Sequence, residues 1–102
     1  MALLDTQQVT ISLNELNQQN AKPWSVIDGK LHKQFQFSNF IAAFEFMSQI
    51  AVQAEKINHH PDWCNAYNRV TVNLVTHEAG GLTSKDFELA SFMESAWSEF
   101  ND

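Results

Sequence analysis

Three of the four histidines in this 102-residue sequence fall where elements of structure should end. His59 and His60 precede Pro61, and proline biases the residue before it away from helical geometry. They should therefore sit where a helix stops and the chain becomes extended. His77 closes an alternating segment just ahead of Gly80-Gly81. Element ends are where functional side chains are displayed on a rigid scaffold. Imidazole titrates near neutral pH, so such residues can serve as general acids or bases, typically worth ~10²–10⁴-fold in rate. Two carboxylates accompany them, Glu55 one helical turn before the histidine pair and Asp86 in the first turn of a later helix.

Each of these residues also has an ordinary explanation. His59 and His60 can be solvated loop residues, His77 a polar strand end, and Glu55 a solvated helix carboxylate. Asp86, three residues after Thr83, satisfies the preference for negative charge at a helix N-terminus. His32 has no partner suggested by sequence and is read as structural. Metal binding is the natural rival for three histidines, since catalytic zinc keeps three protein ligands and a water. Adjacent histidines on an extended backbone point to opposite sides, so joint chelation by His59 and His60 is awkward. No HExxH helix or CxxC pair is present, and no metal is expected. Nothing near Cys64 marks an activated thiolate. Gly80-Gly81 could hold an anion, but a turn explains the pair. Spacing alone does not select a specific enzyme.

The elements that position these residues follow from patterning. Ser12 with Glu15 reads as a capping box, flanked by Ile11 and Leu16 as a hydrophobic staple, so a short helix is expected there. Asp28-Gly29 between apolar-bearing runs signals a two-residue hairpin. Beyond it Leu31, Lys33, Phe35 and Phe37 alternate with His32, Gln34 and Gln36, as in a half-buried strand. Ser38 is expected to cap a long helix to about Lys56. Its buried stripe is read as Phe40, Phe44, Met47, Ala51 and Ala54, widened by Phe46, Ile50 and Ile57. Val70, Val72, Leu74 and Thr76 mark one face of a strand over about Asn68 to His77. Thr83 is expected to cap a final helix through about Phe100, with Leu89, Met93, Ala96 and Phe100 buried. The order is helix, hairpin, helix, strand, helix, which reads as α+β with helices on one face of an antiparallel sheet.

Composition bounds the function. Residues 1–102 read as a single domain, with 44% hydrophobic and 18% charged residues, typical of a globular chain. The net charge of −6 and the scattered basic residues argue against nucleic-acid binding and against an anionic membrane surface. Cys64 is the only cysteine, which excludes an intrachain disulfide and fits a reducing compartment. No apolar run reaches membrane-spanning length, and Ala2-Leu3-Leu4 is too short for a signal-peptide core. A cytoplasmic location is expected.

At Glu55-Lys56-Ile57-Asn58-His59-His60-Pro61-Asp62-Trp63 the sequence resembles the pterin-4a-carbinolamine dehydratase family. The similarity continues through Tyr67, Val70, Val72, Leu74 and Thr76-His77, then Gly81-Leu82-Thr83 and Asp86. Looser likeness covers Trp24, Gly29, Phe35-Gln36-Phe37 and Phe40/Phe44. The resemblance implies an α+β fold with a four-stranded antiparallel sheet and three helices packed on one face, the fourth strand lying near Asp62 to Tyr67. It implies a homodimer or homotetramer that needs no cofactor. It places the active-site histidines on His59, His60 and His77, supported by Glu55 and Asp86, with Asn58, Trp63 and Thr76 around the substrate. The reaction removes the C4a hydroxyl and the N5 proton of a 4a-hydroxytetrahydropterin, giving a quinonoid dihydropterin. Its setting is recycling of tetrahydrobiopterin for aromatic amino acid hydroxylases. His59 and His77 take the acid–base roles and His60 positions substrate. The family also implies an alternative, a dimerisation cofactor for a homeodomain transcription factor working through an exposed helical surface. A third reading is a catalytically silent pterin-binding relative.

Overall fold

The structure is a computed structural model that describes residues 2–18 and 22–100. Its elements run α1 (Thr6–Asn17), β1 (Ser25–Ile27), β2 (Lys30–Gln36), α2 (Phe40–Ile57), β3 (Asp62–Ala66), β4 (Arg69–Leu74), a 3-10 turn at His77–Ala79, and α3 (Ser84–Phe100). The four strands form one antiparallel sheet in the order β1-β2-β4-β3. The fold class is the expected one, and β3 is the fourth strand anticipated near Asp62 to Tyr67.

Register explains the two faces of the sheet. Lys33 lies opposite Val72, which lies opposite Trp63, so these three share the inward face. Leu31, Phe35, Val70 and Leu74 are on that face too, and all four are buried. The outward face is polar: His32 Nδ1 lies 2.9 Å from Asn73 Oδ1, and Gln34 Nε2 donates to Thr71 Oγ1 at 3.2 Å. His32 thus has a structural partner across the sheet. The Asp28-Gly29 hairpin forms with both residues at positive φ, 53° and 74°, as a type I′ turn demands.

Three boundaries differ from the sequence reading. The first helix begins at Thr6, capped by Asp5, whose Oδ1 accepts the Gln8 N–H at 2.8 Å while Gln8 Oε1 accepts the Asp5 N–H. Ser12 is therefore mid-helix, and Ile11 is exposed. The Asp5-to-Gln8 spacing is itself a capping box, so the more N-terminal of two matching signals wins. The cap of α2 is Asn39, not Ser38; Asn39 Oδ1 accepts the Ala42 N–H at 2.8 Å. Strand β4 ends at Leu74, leaving Thr76 in an isolated bridge to Gly81 and His77 in the 3-10 turn.

The larger correction concerns the face of α2. Its buried residues are Ala43, Phe46, Ile50 and Ala54, while Phe40, Phe44 and Ala51 of the expected stripe are exposed. The helix is apolar over most of its circumference, so a 3.6-residue period fits several faces about equally well. The stripe read from sequence lies about a quarter-turn from the one that packs on the sheet. On α3 the expectation holds for Leu89, Met93 and Ala96, all buried against the core, while Phe100 is only partly buried there.

Candidate active site

The three histidines meet at one end of the fold because three local structures bring them there. Helix α2 stops at Asn58, which adopts the left-handed conformation (φ 53°, ψ 45°) that asparagine tolerates better than most residues. The next amide, His59 N–H, reaches back to Ala54 O at 3.0 Å, the six-to-one bond of a Schellman ending. This turn sends the chain from helix into β3 through Pro61. Lys85 Nζ donates to Ile57 O at 3.0 Å, tying the C-terminal end of α2 to the start of α3.

His59 and His60 face apart, as expected of neighbours on extended backbone. His59 is buried, 6% exposed, whereas the His60 side chain is 56% exposed. His59 Nε2 lies 2.6 Å from Asp86 Oδ1, and Asp86 is fully buried. His60 Nε2 lies 2.5 Å from Glu55 Oε2 at the surface. His77, on the 3-10 turn, places Nε2 3.3 Å from Asp62 Oδ2, and Lys30 Nζ is 4.0 Å from the same oxygen. Each of the three imidazoles therefore has its own carboxylate.

A pocket of about 200 Å³ opens between these groups, lined by Asn58, His59, His60, Pro61, Asp62, Val75, His77 and Glu78. Glu55 and Asp86 stand behind its histidines. Asp86 does two jobs: its Oδ2 accepts the Thr83 N–H at 2.9 Å, the reciprocal arm of a cap on α3, while its Oδ1 holds His59. Thr76 is fully buried and donates its hydroxyl to Asp86 Oδ2 at 2.9 Å, so it presents no surface to a substrate. Trp63 is half-buried on the inward face of the sheet and packs on the core rather than lining this pocket. Asp62 and Glu78, which sequence reasoning did not single out, line it. Asp62 carried a signal, its place directly after His-His-Pro; Glu78 carried none beyond adjacency to His77.

Among the described residues, no group of three or more His, Cys, Asp or Glu side chains is gathered as a metal site. What the arrangement offers is proton exchange: imidazoles lining one small pocket, His59 shielded and His77 exposed.

Comparison with known proteins agrees with this fold and shows the family. Residues 2–96 match the family described as Pterin 4 alpha carbinolamine dehydratase. A relative from Solibacter usitatus is 47% identical over 91 residues, covering 85% of this chain and 96% of its own length. One from Rhizobium johnstonii is 48% identical over 98 residues, covering 94% of this chain and 92% of its own. Both are named pterin-4-alpha-carbinolamine dehydratase, as a provisional assignment. A crystal structure of a transcriptional coactivator/pterin dehydratase from Brucella melitensis superposes with a TM-score of 0.82 at 39% identity, over 91% of this chain and 96% of that one. This chain belongs to the pterin-4-alpha-carbinolamine dehydratase family, a family of dehydratases acting as carbon–oxygen lyases.

Proposed function

We propose that the pocket binds a 4a-hydroxytetrahydropterin and that His59 and His77 catalyse its dehydration. The C4a–O bond breaks, the departing hydroxide takes a proton, and the N5 proton passes to a base as the C4a=N5 bond forms. His59 suits the base: a buried carboxylate orients its ring and balances the imidazolium that forms. His77, at the exposed rim, supplies the proton to the leaving oxygen. His60, braced by Glu55, positions the pterin, with Asn58 beside it. The product is a quinonoid dihydropterin that a reductase returns to the tetrahydro form. On this reading the protein serves tetrahydrobiopterin recycling, and the single cysteine fits the reducing cytoplasm.

The observation that carries this reading is the convergence of His59, His60 and His77 on one pocket, with His59 held by Asp86. Stopped-flow measurement of carbinolamine dehydration tests it. His59→Ala and His77→Ala should each slow the reaction by ~10²–10⁴-fold with the fold intact. The double variant should lose less, in log rate, than the two single losses added together, as groups acting as a unit do. Unchanged rates in both single variants would remove the mechanism.

A second reading is supported by the outer side of α2, where Phe40, Ile41, Phe44 and Val52 are exposed. Such a face suits a protein partner, either further copies of the chain or a transcription factor that the chain helps to dimerise. It lies on residues other than the histidines, so the two roles are compatible.

A further inference from the structure

We propose that Thr76 is a positioning residue: through Asp86 its hydroxyl holds His59 as the Nε2–H tautomer, leaving Nδ1 as the atom that exchanges protons with substrate. This inference rests on the dehydratase reading of the pocket and names the reacting atom within it.

The hydrogen bonds form a chain with a defined direction. Asp86 Oδ2 receives two donors, the Thr83 N–H and the Thr76 hydroxyl, each at 2.9 Å. An ionised carboxylate has acceptor oxygens only, as the two donors on Oδ2 require of that atom, so we assign the proton in the 2.6 Å contact with Oδ1 to His59 Nε2. In a neutral imidazole the other nitrogen is then a bare lone pair. Nε2 faces a fully buried partner, and Nδ1 has no hydrogen-bond partner among the described residues. Nδ1 is therefore the only ring nitrogen of His59 open to a substrate in the pocket that His59 lines.

Thr76 is suited to fixing this geometry. Its single hydroxyl proton goes to Asp86, so its oxygen accepts from the Thr83 hydroxyl at 2.8 Å. Its backbone is equally constrained: Thr76 N–H donates to Gly81 O, and Thr76 O accepts the N–H groups of Ala79 and Gly80, all at 3.0 Å. Those bonds shape the turn that carries His77. One residue thus ties both proposed proton carriers to the same frame, which matters because small displacements of a catalytic group cost large factors in rate.

The test combines ¹⁵N imidazole spectra of the histidine-labelled protein with stopped-flow and steady-state kinetics, for wild type, Thr76→Val and Thr76→Ser. Wild-type His59, neutral, should show a protonated Nε2 and a bare Nδ1. Valine keeps the shape and removes the donor. The expected result is a kcat lower by roughly 10–100-fold, little change in KM, and a mixed tautomer signal for His59. Serine restores the donor and should recover both kcat and spectrum. A wild-type His59 carrying its proton on Nδ1 would overturn the proposal, and that spectrum decides even if the valine variant does not fold. A valine variant with wild-type kcat and spectrum, or one raising KM alone, would overturn it as well. The spectra need no turnover, so the predicted tautomer in a chain without dehydratase activity would support the positioning network and sink the functional reading instead.

Discussion

His59 and His60 are adjacent in sequence and opposite in circumstance, and one backbone conformation separates them. Asn58, left-handed, ends α2 so that His59 turns inward to Asp86 while His60 stays outside against Glu55. The same geometry bears on metal chemistry. The Nε2 atoms of His59, His60 and His77 address three different carboxylates, Asp86, Glu55 and Asp62, rather than a common centre. Treatment with a chelator should accordingly leave the dehydration rate unchanged, and elemental analysis should find no stoichiometric zinc or iron. Added zinc should inhibit, because coordination occupies the lone pairs that must exchange protons. A rate that collapsed with chelator and returned only with one metal would turn the site into a metal-assisted one. The histidines could be found from sequence because they stand at element ends. The pairing of a buried His59 with a buried Asp86 could not, since it depends on how α3 docks beside the C-terminal end of α2.

At the scale of elements, patterning was readable wherever one face is apolar and the other polar. Strand β2 and the residue after it show this: Leu31, Lys33, Phe35 and then Phe37 are all buried, as their alternation implies. Helix α2 shows the opposite case, because apolar residues on two faces leave its period ambiguous until the sheet is in place. Lys33 sits between these cases, a charge on the buried face of a strand. It pairs with Glu94 of α3, whose Oε2 also accepts from Trp24 Nε1 at 2.9 Å, and its ammonium lies 4.9 Å from the Phe35 ring centroid. The pair links β2 to α3 and fixes how the helix registers on the sheet. Removing one partner leaves a buried charge, so Lys33→Met alone should destabilise by about 3–5 kcal/mol. Replacing both, Lys33→Met with Glu94→Leu, should cost clearly less. Urea unfolding of the two single variants and the double variant measures this, and a double variant as unstable as the sum of the singles would refute the coupling.

At the scale of the molecule, α2 carries more apolar surface than one copy of this fold covers. Its inner face, Ala43, Phe46, Ile50 and Ala54, is buried in the core. Its outer face leaves Ile41 63%, Phe44 55% and Val52 59% exposed, with Phe40 beside them at 44%. Positions 41, 44, 48 and 52 follow helical spacing, so these side chains form a continuous stripe along the helix axis, interrupted only by the small Ser48. Isolated exposed apolar residues need no explanation, whereas a contiguous stripe marks a contact surface. A symmetric association can bury the same stripe on every copy. Sedimentation or light scattering at micromolar concentration should therefore report a dimer or tetramer. Phe44→Glu should shift that distribution toward monomer while leaving thermal unfolding of the monomer little changed, because the residue makes no contribution to the inner face. Phe46→Ala, one half-turn away, should instead lower stability by about 3–5 kcal/mol through the cavity it leaves. A parent chain that sediments as a clean monomer across that range would leave the outer stripe to a different protein partner.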